Sequence, residues 1–156
     1  QDDGSHAPHF EEKVACLKPD VAFVQLNSYV SSLQDGFPKE RGMNDCWRRM
    51  AAIFHKELPS PIRLRTYCCS QWAASRKQIR ETPLPVYKKL LTFLQDPQSC
   101  PENRRHDIKM NKGAAIAYEY LLHYLIGGQP LKMERYTQDD YCSFFRDDCP
   151  GSPCQQ

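Results

Sequence analysis

Long blocks of like charge are missing from this chain. Its 21 lysines and arginines are interleaved with 19 aspartates and glutamates over 156 residues, for a formal net charge of +2. The basic stripe with which a protein follows a phosphate backbone is missing, so nucleic acid is set aside as a partner. Long apolar runs are missing too. A bilayer crossing needs about 20 consecutive apolar residues, and the best candidate, 114–126, is interrupted by Glu119 and His123; no transmembrane segment is expected. There is no G-x-S-x-G elbow, no P-loop, no H-E-x-x-H and no G-x-G-x-x-G, so the best-marked hydrolase, phosphate-loop, zinc-protease and dinucleotide chemistries have no anchor. Internal repeats are absent. So are C-x-x-C pairs, which removes the usual spacing of a zinc site, and no metal site is expected.

Cysteine, by contrast, is abundant. Cys16, Cys46, Cys68, Cys69, Cys100, Cys142, Cys149 and Cys154 make an even set of 8, which points to disulfides and to an oxidising compartment, either outside the cell or in the secretory-pathway lumen. Free redox thiols are the competing reading. Vicinal Cys68 and Cys69 cannot readily bridge each other, because closing that ring strains the intervening peptide. The chain opens on Gln1 rather than methionine, so either a signal peptide has been removed or an upstream part is missing.

The length suits one domain with a single core. Residues 1–8 are polar and read as a disordered end, 9–128 as one α/β domain, and 129–156 as a cysteine-rich tail tethered by disulfides. Within 9–128 the pattern predicts a short helix over 9–17, a buried strand over 21–26 and a loop over 27–44. A helix follows from Asp45, with Trp47, Met50, Ala51, Phe54 and Leu58 on its inner face and Pro59 and Pro61 at its end. A strand over 62–67 leads to a helix opened by the S-x-x-Q capping box of Ser75 and Gln78. A further helix carries Tyr87, Leu90, Leu91 and Leu94 inward, 96–112 reads as a loop, and the longest helix, 112–126, stops at Gly127-Gly128.

The joint running from Tyr67 to Arg76 concentrates the candidate site. Ligands collect at the carboxyl ends of strands in α/β proteins. Trp72 offers a flat face for a sugar or base, Gln71 a donor and an acceptor, and Arg76 a partner for an anion beside a helix start. The plain alternative is a packed tryptophan and a surface arginine. Glu119 and His123 lie four residues apart on one helix, so a carboxylate can orient an imidazole as a general base; equally, they can be an ordinary i,i+4 pair. The pairs Asp2-Asp3, Asp139-Asp140 and Asp147-Asp148 fall in polar ends and are poor metal sites.

Cys46-Trp47, the run 68–79 with its Cys-Cys-Ser-Gln-Trp-Ala-Ala-Ser-Arg, Tyr87, Glu119, His123 and Gly127 resemble the C-terminal part of the domain of unknown function 3431 family, found mainly in fungi, plants and algae. Leu122 stands where that family has tryptophan. The resemblance spans about 21–128 and singles out Gln71, Ser75, Arg76, Glu119 and His123. The same segment is similar to the acceptor-side halves of nucleotide-sugar glycosyltransferases, where a small residue, serine, glutamine and tryptophan precede a helix. It implies an α-rich α/β fold with a few-stranded sheet flanked by helices, a glycosyltransferase-like domain lacking its nucleotide half. Glu119 and His123 would then be catalytic, and Gln71, Trp72, Ser75 and Arg76 would bind a sugar or glycan. Mn²⁺ or Mg²⁺ would be expected only if a nucleotide-sugar half lies upstream. The alternative is a non-catalytic secreted module held together by disulfides.

Overall fold

The computed structural model describes residues 10–27, 30–33, 43–67, 71–100 and 112–149. Among them the chain is α-rich, with six helices and four short strands: α1 (Phe10–Ala15), β1 (Phe23–Gln25), β2 (Val30–Leu33), α2 (Met43–Ile53), β3 (Leu64–Tyr67), β4 (Trp72–Ala74), α3 (Arg76–Glu81), α4 (Leu84–Gln95), α5 (Lys112–Leu125) and α6 (Gln138–Phe144). The strands do not form one sheet. They make two antiparallel ladders, β1 with β4 and β2 with β3, in registers that place Gln25 opposite Trp72 and Val30 opposite Tyr67. Two expectations change accordingly. The loop over 27–44 contains β2, and the joint does not run straight from strand to helix, because β4 intervenes.

The main core lies between α2, α4 and α5. Trp47, Met50 and Ala51 of α2 meet Ala114, Ala117, Leu121, Leu122 and Leu125 of α5, all buried. The alanines at the start of α5 keep that face narrow enough for close helix approach, while burying each of the large side chains contributes about 2–3 kcal/mol before entropy is counted. α2 stops at Ile53, earlier than its apolar spacing predicts, because His55 takes a left-handed conformation (φ 55°). Buried Leu58 therefore reaches the core from extended chain, which Arg48 fastens by donating to the Leu58 carbonyl at 2.8 Å and the Pro59 carbonyl at 3.0 Å. On α4 the inward stripe is Val86 and Leu90. Leu91, expected inside, is 56% exposed, since a residue directly after an inward position is rotated by about 100° around the helix.

Past Gly128, whose φ of 64° ends the helical run, the chain returns along β3: Arg65 N–H donates to the Leu131 carbonyl at 3.0 Å and Met133 N–H to the Arg65 carbonyl at 2.8 Å. α6 then begins at Thr137 with a full capping box to Asp140. It packs Tyr141, Phe144 and Phe145 with Val24, Leu26, Cys16 and Leu17 in a second apolar cluster. Cys16–Cys149 closes that cluster and Cys46–Cys100 ties α2 to the segment after α4. Cys142 is disulfide-bonded as well. Cys68, Cys69 and Cys154, like the end 1–8, lie outside the described residues. Among the described residues no helix is long and apolar enough to cross a membrane.

Candidate functional site

β1 is buried along its whole length, so the residues that end it carry polar groups into the interior. Gln25, Asn27, Thr66, Gln71 and His123 are all buried. Interior carboxamides, hydroxyls and imidazoles are tolerated only when paired, and most of these are. Asn27 Nδ2 donates to Gln71 Oε1 at 3.4 Å, and Leu26 N–H donates to the Gln71 carbonyl at 2.8 Å, which extends the β1–β4 ladder by one step. From β3, Thr66 Oγ1 lies 3.1 Å from His123 Nδ1 on α5 and donates to the Tyr67 carbonyl at 3.2 Å. Gln25 Oε1 is buried with no hydrogen-bond partner, as are Asn44 Oδ1, Trp47 Nε1 and Arg65 Nε elsewhere in the fold.

The sequence pairs His123 with Glu119, and the helix does place both on α5. Neither ring nitrogen bonds that carboxylate, however: Nδ1 is held by Thr66, and the backbone of Leu131 and Pro130 lies against the ring. Burial lowers the imidazole to about 4; the backbone of Leu131 and Pro130 opposes the shift in part, and the Lys56 ammonium adds to it. His123 is thus a neutral imidazole at neutral pH, with little basicity, fixed deep in the fold.

The other candidates divide between interior and surface. Gln71 is buried and Trp72 half-buried, its ring stacked on Phe23 at 5.8 Å and 22°. Phe23 in turn lies against Gly127, where a Cβ would sit 2.7 Å from the phenyl ring and 2.6 Å from the His123 carbonyl oxygen. The glycine after α5 is what lets β1 approach the His123 turn. Ser75 caps α3, its Oγ accepting from Gln78 N–H at 3.1 Å. Only half of the predicted capping box forms, because Gln78 Nε2 donates to the Ile126 carbonyl at 2.9 Å and to Glu81, pinning α3 to the end of α5. Arg76 is exposed beside Lys77, Arg80 and Glu81. A pocket of about 320 Å³ opens between Phe54, Lys56, Gln78, Glu81, Val86 and Leu125, and none of the six candidate residues lines it.

Sequence reasoning passes over Gln25, Asn27, Thr66 and Tyr136. Tyr136 stacks on Tyr67 at 4.9 Å; its hydroxyl accepts from Gln25 N–H at 3.3 Å, and its own N–H donates to the Tyr67 hydroxyl at 2.7 Å. Burial pushes its phenol up to about 12. The one signal available was a Gln and an Asn closing an otherwise apolar strand. Among the described residues no three His, Cys, Asp or Glu side chains come together to hold a metal ion.

No curated protein and no solved structure matches the chain. A family model does, over residues 11–143, a span that takes in α6 and so reaches well past the Gly128 limit of the sequence resemblance. The chain belongs to the family described as protein of unknown function (DUF3431).

Proposed function

We propose that this chain is a sugar- or glycan-handling domain of glycosyltransferase-like character, working in the secretory pathway or outside the cell. The observation that supports the reading is the buried polar cluster of Gln25, Thr66, Gln71 and His123, in which Gln25 Oε1 meets no protein partner. Native interiors leave few such atoms, and those that remain often serve a ligand or a bound water. Carboxamides and a half-buried tryptophan are the groups that hold sugar hydroxyls and stack on sugar faces. In this reading His123 acts as a neutral hydrogen-bonding group, and Gln71 and Trp72 shape the acceptor side. The disulfides of Cys16, Cys46, Cys100, Cys142 and Cys149 support an oxidising compartment.

A second reading, a non-catalytic disulfide-held module, has its own support. Ser75 spends its hydroxyl on a helix cap, Gln71 on Asn27 and His123 on Thr66, so family-shared positions already have work inside the fold. Titration with nucleotide sugars in the presence and absence of Mn²⁺, and with oligosaccharide acceptors, separates the two. A saturable rise in melting temperature that Trp72→Leu abolishes favours the sugar-handling domain. No shift and no transfer at millimolar ligand favours the module.

A further inference from the structure

α3 and α4 carry an asymmetry that neither reading of the interior uses. The described residues include four large apolar side chains that are plainly exposed, Val14, Ile79, Leu84 and Leu91, and three of them lie on these two helices, with Leu84 at 65% and Leu91 at 56% exposure. Charge is just as uneven. Arg76, Lys77, Arg80, Lys88 and Lys89 are exposed there against the single acid Glu81, in a chain whose overall charge is nearly balanced. Leu84, Lys88 and Leu91 recur at i, i+4 and i+7, which puts leucine, lysine and leucine on one solvent-facing stripe of α4. Arg76, Ile79 and Arg80 repeat that mixture on α3. Only Thr82 and Pro83 separate the helices, and the Tyr87 hydroxyl fastens them by donating to the Ile79 carbonyl at 2.9 Å.

We propose that the α3–α4 face is a peripheral docking surface for an anionic lipid bilayer. Protruding leucines flanked by lysine and arginine are what an interfacial helix presents: apolar tips enter the acyl boundary while the long cationic stems reach the headgroups. The surface lined by Arg76, Lys77, Arg80 and Glu81 is open, and exposed Leu84 and Leu91 line neither it nor the neighbouring pocket of about 320 Å³, so an acidic peptide seated there would leave the leucines in water. A sulfated polysaccharide would engage the cations and leave the leucines idle. The bilayer is the partner that uses both. Each cation near an anionic membrane surface strengthens binding about fivefold, and salt screens that gain.

The test is co-sedimentation of the full chain with vesicles of phosphatidylcholine containing about one third phosphatidylserine, beside pure phosphatidylcholine vesicles and a heparin column. Expected is salt-sensitive binding to the anionic vesicles only. The double variant Lys88→Glu/Lys89→Glu should weaken it at least tenfold, and Leu84→Ser/Leu91→Ser severalfold; both alter exposed side chains, so unchanged melting temperatures should show the fold intact. Absence of sedimentation overturns the proposal. So does binding that ignores the leucine pair while heparin retains the protein, which would assign the face to a soluble polyanion.

Discussion

Thr66 Oγ1 and His123 Nδ1 meet at 3.1 Å across β3 and α5, where neither residue is exposed to solvent. The imidazole is therefore oriented by a hydroxyl from a strand 57 residues away in sequence, and not by the carboxylate one helical turn before it. This contact also joins the longest helix to the β2–β3 ladder, so it belongs to the framework as much as to any site.

The depressed titration of His123 has a direct consequence for stability. The fold favours the neutral ring, with its acid constant at about 4 against 6.5 unfolded. The stabilisation tied to that difference is complete above pH 6.5 and is lost as pH falls towards 4, reaching about 3 kcal/mol at the acid end. Urea denaturation at pH 7 and at pH 4 should show this loss, and His123→Gln should flatten the slope between those values while lowering stability at pH 7. An unchanged slope in the variant would place the acid sensitivity elsewhere.

The two glycines after α5 should each resist substitution, but for different reasons. Gly127→Ala meets the Phe23 ring at 2.7 Å and the His123 carbonyl oxygen at 2.6 Å, contacts that cannot be accommodated without moving β1 from α5, and should cost about 1–3 kcal/mol. Gly128→Ala meets nothing but has φ 64°, so its penalty is only the left-handed backbone, about 1 kcal/mol. Thermal denaturation of the two variants should rank them in that order.

Cys46–Cys100 and Cys16–Cys149 span 54 and 133 residues. Loop-closure arguments give each about 4–5 kcal/mol. Non-reducing peptide mapping should recover both links, and Cys46→Ala/Cys100→Ala should lower stability by several kcal/mol. Peptides joined in other pairs would contradict this arrangement.

The helical part of the fold was legible wherever a 3.6-residue period ran for three turns. Trp47, Met50 and Ala51 announce α2, Ser75 announces α3, and Gly127-Gly128 mark the end of α5. What escaped was long-range or short. β4 is three residues, two of them alanines with little strand preference, and exists because β1 pairs with it. β2 lies in a segment that reads as a loop. α6 is short, and its capping signature, Thr137 and Asp140, stands in a polar segment whose cysteines and prolines read as a tethered tail. At the site, the i,i+4 spacing correctly placed Glu119 and His123 on one helix, but spacing within a helix carries no information about Thr66 on a distant strand, nor about Phe23 filling the notch at Gly127. Arg76 sits on the surface and Gln71 inside, a division that adjacent sequence positions hide.

Tyr136 offers a way to ask whether the segment beyond Gly128 folds as one unit with the helical core. Its hydroxyl accepts from Gln25 on β1 and its ring stacks on Tyr67 of β3, so it bridges both ladders from a segment that also packs Tyr141 and Phe144 against it. Tyr136→Phe removes one hydrogen bond and should cost about 1 kcal/mol. Tyr136→Ala removes the ring as well and should cost about 3–4 kcal/mol. Because the cluster around Val24, Leu26 and Phe145 is separate from the core of α2, α4 and α5, amide exchange in the alanine variant should accelerate over 131–145 and in β1, while α2 and α5 keep their protection. Uniform acceleration across all helices would instead mean that the two clusters unfold together, with Tyr136 acting as a joint of the whole domain.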